Sequence, residues 1–200
     1  GVGRILAYLV ELDKALFDFI NATLHSPSLF WIFEFITNLG DLIIVGILFY
    51  LFILLRRVKI SSPKGLWWVM AMMLVAVSIA EGIVLLGKVV IHRPPPVSLV
   101  RKPLPEISIP FARYAFPSGH TARVFAAATV LWRKFPCWKI WLVVFALLVG
   151  FSRVYIGAHY PADVVAGAIL GGLVSAALLR YEDKLGEMLS KLGGRSIQDH

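Results

Sequence analysis

The stretch Leu66–Ile91 reads LWWVMAMMLVAVSIAEGIVLLGKVVI and contains only two charged residues, Glu81 and Lys88. A helix of about 20 predominantly apolar residues is long enough to cross the hydrocarbon core of a bilayer. The stretch therefore predicts a transmembrane helix, and the remainder of the chain can be interpreted outward from it.

Other apolar blocks lie on both sides of this stretch, at Leu42–Leu55, Thr121–Trp132, Cys137–Val154 and Val164–Leu179. Two of them are short, but Leu42–Leu55 can extend back into Phe30–Leu39 and Thr121–Trp132 back to Ser118. Of the 200 residues, 58% are hydrophobic and 16% are charged, whereas soluble domains carry about 25% charged residues. We therefore expect an all-α fold, a polytopic membrane helical bundle of five transmembrane helices forming one domain over residues 1–200.

Residues 1–38 form a predicted N-terminal amphipathic region. Between Arg4 and Leu24, polar side chains recur at helical spacing on one face, at Glu11, Lys14, Asp18 and Asn21. Such a helix suits the bilayer interface, but about 20 helical residues also reach about 30 Å, the thickness of the hydrocarbon core. An interfacial helix and a sixth transmembrane helix are therefore both open.

The net charge of +8 arises from basic residues that flank the apolar blocks. This arrangement favours anionic lipid over nucleic acid as the partner. With five spans, the basic segments fall on one side, which the positive-inside rule makes cytoplasmic: Arg56–Lys64, Arg133–Lys139 and the tail at residues 182–200. The outer side then carries a long loop, residues 92–117, and a short connector, residues 157–161.

Polar groups are concentrated where the spans meet this outer side. They are Lys88, His92, Arg93, Ser118, Gly119, His120, Ser152, Arg153, His159 and Asp163. Ionisable groups at the edge of apolar spans are costly to keep there, so we interpret them as functional, except His92, which belongs to no motif. They predict an active site at the outer face, built from the outer loop and the neighbouring helix ends.

The positions of these groups favour phosphate chemistry. Ser118 is a natural N-cap, and the helix N-terminus that follows it is an anion site. Pro161 suits the first position of the last helix, which puts Asp163 in the first turn, within reach of one nitrogen of His159. The cations that can neutralise a phosphate are Lys88, Arg93 and Arg153.

Two motifs in these segments resemble signatures of the type 2 phosphatidic acid phosphatase family. They are FPSGHT at Phe116–Thr121 and SRVYIGAHYPAD at Ser152–Asp163, and the second fits the pattern S-R-x5-H-x3-D at every fixed position. The resemblance extends from about Leu12 to Tyr181. It implies a phosphatase that works through a phosphohistidine and needs neither a metal nor another cofactor.

The family's residue roles carry over to the matching positions of this chain. By resemblance, His159 is the nucleophile, Asp163 orients it, and His120 protonates the leaving oxygen. The phosphate ligands implied are Lys88, Arg153, Ser118 and the Gly119 amide. No metal site is expected, and with Cys137 as the single cysteine, a Cys-based metal site is not expected either.

One signature departs from the family's pattern, which is K-x6-R-P. Counted from Lys88, the arginine position holds Pro95, and Arg93 stands two residues early. We expect Arg93 to bind the phosphate from a shifted backbone. The alternatives for this role are Arg101, Lys102 and Arg113.

Two further charged residues lie inside the apolar blocks. Glu81 is expected to pair with Lys88 or to hydrogen-bond within the bundle. Arg123 is expected to support the phosphate pocket or to face the lipid head groups.

The sequence thus predicts an integral membrane phosphatase for a phosphorylated lipid, in a bacterial inner membrane, with its active site facing the periplasm or cell exterior. Arg101, Lys102 and Arg113 make the outer loop basic, which favours a lipid with more than one phosphate, such as lipid A 1-phosphate or undecaprenyl diphosphate. A phosphotransferase with the same phosphohistidine and a non-catalytic anionic-lipid-binding or transport protein are the alternatives. The expected partners are the lipid substrate and the bilayer, with no nucleic acid, and the sequence does not indicate protein partners.

Overall fold

Apolar runs form helices in the part of the chain that the structure describes. The computed structural model describes residues 1–41, 46, 65–96, 114–182 and 184. The α-helices with described bounds are α1 (Val2–Asp18), α2 (Pro27–Leu39), α3 (Gly65–Ile91), α4 (Gly119–Lys134), α5 (Lys139–Tyr155) and α6 (Pro161–Arg180). A π-helical turn, Phe19–Thr23, continues α1, and a 3-10 turn, Pro136–Trp138, precedes α5. No strand occurs in the described ranges, so the all-α prediction is confirmed for them.

Three helical segments of the described ranges are long and apolar enough to cross a membrane, namely Trp68–Ile91, Pro136–Tyr155 and Pro161–Arg180. They coincide with three of the predicted blocks. The block Thr121–Trp132 forms α4, which has 16 residues. The block Leu42–Leu55 lies almost wholly outside the described residues, so a count of five or six spans stays a prediction.

The outer surface of the helices is strongly apolar. Large side chains on it are more than 60% exposed, for example Leu86, Val90, Ile140, Trp141 and Leu173. In water such a continuous apolar surface would promote aggregation, whereas hydrocarbon solvates it and the helices satisfy their own backbone groups. The surface therefore indicates an integral membrane protein.

Helix α4 lies at the centre of the bundle and packs against α3, α5 and α6. Along α6, Gly167, Gly171 and Ser175 repeat at a spacing of four residues and face α4. A Cβ at Gly171 would lie 2.1 Å from the carbonyl oxygen of Ala122, and Ser175 donates a hydrogen bond to the carbonyl oxygen of Ala126 at 2.8 Å. Small residues at this spacing let helix backbones approach closely, and the parallel α4 and α6 consequently have their N-termini side by side.

The N-terminal helix confirms the predicted helical region but not its predicted polar face. Glu11, Lys14 and Asp18 are exposed, whereas Asn21 is buried and donates to the carbonyl oxygen of Tyr155 at 2.9 Å. The π-helical turn has more residues per turn than an α-helix, so it rotates Asn21 away from the direction that α-helical spacing gives. The prediction that Asn21 shares the exposed face was therefore wrong.

A single carboxylate joins three parts of the chain at the opposite end of the bundle. Trp68 Nε1 and Lys134 Nζ each bind Glu182 Oε1 at 2.6 Å. Glu182 follows α6, so the bonds fasten the end of α6 to α3 and α4 far from the predicted active site.

Candidate active site

The N-terminus of α4 is the position of the predicted anion site. Ser118 has an extended backbone at the N-cap position and is fully buried. The predicted N-cap position of Ser118 is confirmed, but its side chain makes no capping bond, and its Oγ accepts a hydrogen bond from Thr121 Oγ1 at 3.0 Å. The Ser118 side chain therefore does not bind the backbone N–H groups of the first turn, which begins at Gly119. An incoming anion needs such uncapped N–H groups as hydrogen-bond donors.

The N-terminus of α6 places His159 and Asp163 next to this end of α4. The backbone N–H of Ser118 donates to the carbonyl oxygen of Asp163 at 3.0 Å, which joins the two helix starts. The turn before α6 depends on Gly157, whose φ of 77° is readily accessible to glycine. Pro161 occupies the start of the helix and Asp163 its first turn, as predicted.

The carboxylate of Asp163 faces the imidazole of His159 inside the protein. His159 Nδ1 lies 3.8 Å from Asp163 Oδ2, which is longer than a hydrogen bond. Among the described residues, Nδ1 has no hydrogen-bond partner although it is buried. The same Oδ2 accepts the backbone N–H of Tyr160 at 2.9 Å. The predicted pair is therefore assembled, and a small movement of the ring would complete its hydrogen bond.

The protonation of His159 is set by its surroundings. Burial lowers the pKa of His159 to about 4, and the charges of Arg153 and Lys88 act in the same direction, whereas the carboxylate of Asp163 opposes them. His159 is therefore neutral at physiological pH, the form in which an imidazole can act as a nucleophile.

The predicted cations Arg153 and Lys88 come from the ends of two different helices. Arg153, in the last turn of α5, is only 8% exposed, and its Nη1 donates to Thr37 Oγ1 at 3.0 Å. Lys88, in the last turn of α3, donates to the carbonyl oxygen of Tyr114 at 2.7 Å. Both act electrostatically on His159, so the two cations and the imidazole belong to one site.

The predicted acid His120 belongs to a charged cluster. Its Nε2 lies 3.2 Å from Asp41 Oδ1, and Arg123 Nη2 lies 3.4 Å from the same oxygen. Glu81 binds Arg123 Nη1 at 2.9 Å. Of the two expectations for Glu81, hydrogen bonding within the bundle is thus confirmed and pairing with Lys88 is not observed, because Arg123 reaches Glu81 from α4.

Arg93 lies between two carboxylates. Its Nη1 is 2.6 Å from Asp163 Oδ1, and its Nη2 is 2.5 Å from Asp13 Oδ2. Its guanidinium also lies over the ring of Tyr160, 4.2 Å from the centroid. Burial alone would lower the pKa of Arg93, but the hydrogen bonds and charges of Asp13 and Asp163 outweigh it and raise the pKa. Direct phosphate binding by Arg93 stays a prediction, and the alternatives Arg101, Lys102 and Arg113 lie outside the described residues.

Asp13 and Asp41 are two site residues that the sequence analysis did not single out. Asp41 follows the apolar run 30–39, where a carboxylate at the end of a span was a usable signal. Asp13 offered no comparable signal, because its neighbours Glu11 and Lys14 defined the polar face of α1. Asp13 instead points to the bundle, where Oδ1 accepts the backbone N–H of Ala162 at 2.8 Å.

An apolar groove runs beside Arg93. It has a volume of about 420 Å³ and lies between α1, the end of α3 and the start of α6. Apolar side chains such as Leu6, Leu9 and Ile91 line it together with Asp13 and Arg93. No group of three or more His, Cys, Asp or Glu side chains within the described ranges is arranged to hold a metal ion.

Comparison with curated proteins gives relatives with named activities. The chain is 41% identical over 71 residues to "Undecaprenyl-diphosphatase" of Sulfolobus acidocaldarius, covering 34% of each chain. It is 40% identical over 70 residues to "Lipid A 1-phosphatase" of Rhizobium etli, covering 33% of this chain and 30% of the relative. Each match thus spans about a third of the length of the curated relative.

Solved structures match over most of the chain. LpxE of Aquifex aeolicus has a TM-score of 0.64 and 26% identity, with 85% of this chain and 96% of that chain covered. The PAP2-type phosphatidylglycerolphosphate phosphatase of Bacillus subtilis has a TM-score of 0.66 and 25% identity, with 88% and 87% covered. The model of the PAP2 superfamily matches residues 65–187, which include α3 to α6 and all the motifs described above. On the strength of that match and of the helical architecture it shares with solved relatives, this chain belongs to the PAP2 superfamily.

Proposed function

We propose that this protein is a metal-independent lipid phosphatase that hydrolyses a head-group phosphomonoester or diphosphate through a phosphohistidine. The observation that carries the proposal is the assembly, at one end of the bundle, of a buried neutral His159, the cations Lys88 and Arg153, and the start of α4. Relatives with shared sequence are named phosphatases of membrane lipids.

In the first step, the phosphate docks against Lys88, Arg153, Ser118 and the Gly119 amide. His159 Nε2 attacks phosphorus, because Nδ1 faces Asp163 and is not available. The P–N bond forms as the P–O bond to the lipid breaks, and His120 gives a proton to the departing oxygen. The cations and the helix N-terminus stabilise the charge that develops on the phosphoryl oxygens.

In the second step, water replaces the lipid. His120, now deprotonated, takes a proton from a water molecule that attacks phosphorus, and the P–N bond to His159 breaks. Inorganic phosphate leaves, and His120 is again protonated. Asp41, 3.2 Å from His120 Nε2, is placed to hold this imidazole through both transfers.

The substrate we favour is lipid A 1-phosphate or undecaprenyl diphosphate. The names of the curated relatives support these two classes, and the basic loop residues Arg101, Lys102 and Arg113 favour a head group with more than one phosphate. The proposal includes a bacterial inner membrane as the location, and the positive-inside rule favours an active site that faces the periplasm or cell exterior.

The proposal is tested by phosphate release from detergent-purified protein in EDTA. The lipids to compare are phosphatidate, phosphatidylglycerol phosphate, undecaprenyl diphosphate and lipid A, and the control is His159→Ala. We expect release in EDTA that falls by several orders of magnitude in His159→Ala. Loss of activity in EDTA, or full activity in His159→Ala, would overturn the mechanism. A phosphorylated acceptor in place of free phosphate would make the protein a phosphotransferase.

A further inference from the structure

The carboxylate of Asp163 is held by more partners than its role beside His159 requires. Its Oδ2 accepts the backbone N–H of Tyr160 at 2.9 Å and faces His159 Nδ1 at 3.8 Å. Its Oδ1 binds Arg93 Nη1 at 2.6 Å. Because Asp163 is fully buried, these partners fix the plane of its carboxylate.

Arg93 is itself held from the other side by α1. Asp13 Oδ2 binds Arg93 Nη2, and Asp13 Oδ1 accepts the backbone N–H of Ala162. Asp13 therefore contacts both the arginine that binds Asp163 and the first turn of the helix that carries Asp163. It is only 8% exposed and lies beside an apolar groove, where ion pairs are screened less than at a wetted surface.

Aromatic packing closes the same cluster. The guanidinium of Arg93 stacks on Tyr160, and the ring of Phe17, one turn after Asp13 on α1, packs on Tyr160 with centroids 5.3 Å apart. Tyr160 directly follows His159 in the chain. A displacement of α1 would thus be transmitted to Tyr160, the residue next to His159.

We propose that Asp13 and Arg93 form a positioning pair that fixes the carboxylate of Asp163 for its contact with His159, so that α1 is part of the active site. The pair rests on the proposed function for its effect on catalysis. It lies partly outside the family match, which begins at residue 65. It also gives a role to Arg93, which stands two residues before the arginine position of the K-x6-R-P signature.

The test compares Asp13→Asn with the matched control Glu11→Gln. Asp13→Asn keeps the size of the side chain and an acceptor for Ala162 N–H, but removes the charge opposite Arg93. Glu11→Gln removes a carboxylate from the same helix where it is exposed and pairs with Lys14 at 3.1 Å. Activity is measured as kcat and KM on the preferred lipid, with a thermal melt in detergent for each variant.

We expect kcat of Asp13→Asn to fall about 10- to 100-fold, because small misplacements of reacting groups have effects of that size. KM and the melting temperature should stay close to those of Glu11→Gln, and Asp13→Glu should recover part of the rate. Equal kcat for Asp13→Asn and Glu11→Gln would overturn the proposal. A fall in kcat accompanied by a matching fall in melting temperature would also overturn the proposal, because a purely structural contact would give that result.

A second measurement does not need turnover. The five histidines are labelled with ¹⁵N, and the His159 ring signal is assigned by its absence in His159→Ala. Asp13→Asn should lower the pKa of His159 further. Without Asp13, the positive charge of Arg93 is balanced by Asp163 alone, and the carboxylate of Asp163 then stabilises a protonated His159 less. An unchanged titration would refute the positioning pair even if no lipid were hydrolysed, whereas absence of hydrolysis by the unmodified protein would refute only the proposed function.

Discussion

His159 combines deep burial with neighbouring positive charge, and this combination sets its pH behaviour. An unperturbed histidine has a pKa of 6.5, whereas the pKa of His159 is lowered to about 4. Because the lowered pKa favours the neutral form, His159 remains unprotonated between those two pH values and becomes protonated only as the pH falls through about 4. Neutral imidazole is the reactive form, so activity should persist in mildly acidic solution.

We predict that the acid limb of the pH dependence of kcat/KM lies below pH 5, since this profile reports groups of the free enzyme. Arg153→Gln removes a positive charge that opposes protonation of His159. In the residual activity of this variant, the acid limb of kcat/KM should therefore lie at higher pH. The matched control is Lys139→Gln, which removes a cation from the other end of α5. An acid limb near 6.5 in the unmodified protein would contradict the prediction.

At the scale of secondary-structure elements, the contact between α4 and α6 positions the site. Both helices begin at the candidate site, and the Ser118–Asp163 backbone hydrogen bond joins their starts. The close approach depends on small residues along α6, where nothing larger than a hydrogen fits at Gly171. Separation of these helices would therefore move His159 away from the anion site at the start of α4.

We predict that Gly171→Ala destabilises the protein and lowers kcat. Its Cβ would lie 2.1 Å from the carbonyl oxygen of Ala122, and overpacking of this kind typically costs about 1–3 kcal/mol. The matched control is Gly172→Ala, whose Cβ would lie 4.0 Å from Thr129 Oγ1. Alanine favours a helix over glycine by about 1 kcal/mol, so the control should melt at the same temperature or higher. Equal melting of the two variants in detergent would show that the contact does not limit stability.

At the scale of the whole molecule, the two ends of the bundle differ in chemistry. One end holds the candidate active site, and the other holds basic residues and the bonds between Glu182, Trp68 and Lys134. Helix α5 has 17 residues and so separates the two ends by about 26 Å, at a rise of about 1.5 Å per residue. The single cysteine, Cys137, is exposed at the basic end just before α5.

We predict that a membrane-impermeant maleimide labels Cys137 in bacterial cells only after the membrane is opened, because the positive-inside rule predicts that the basic end faces the cytoplasm. The matched variant combines Cys137→Ser with Pro95→Cys, which puts the thiol at an exposed position of the active-site end. It should be labelled in intact cells. The reverse pattern would place the active site on the cytoplasmic side.

The sequence by itself determined the helices and most of the candidate catalytic groups. Long apolar runs are local signals, and Pro161 and Asp163 act at a helix start through neighbours a few residues away. The motif around His120 and the motif around His159 are likewise local, so their residues could be named before their partners were known.

Only the tertiary structure decided which distant side chains complete the site. Asp13 reaches Arg93 and Ala162 across 80 and 149 positions of the chain, and Asp41 reaches Arg123 across 82. Local signals predicted the N-cap position of Ser118 correctly, but they did not predict that its Oγ accepts a hydrogen bond from Thr121 Oγ1. The physical reason is common to these cases: a buried charge or polar group binds whichever partner helix packing brings within about 3 Å, and periodicity along the chain does not contain that information.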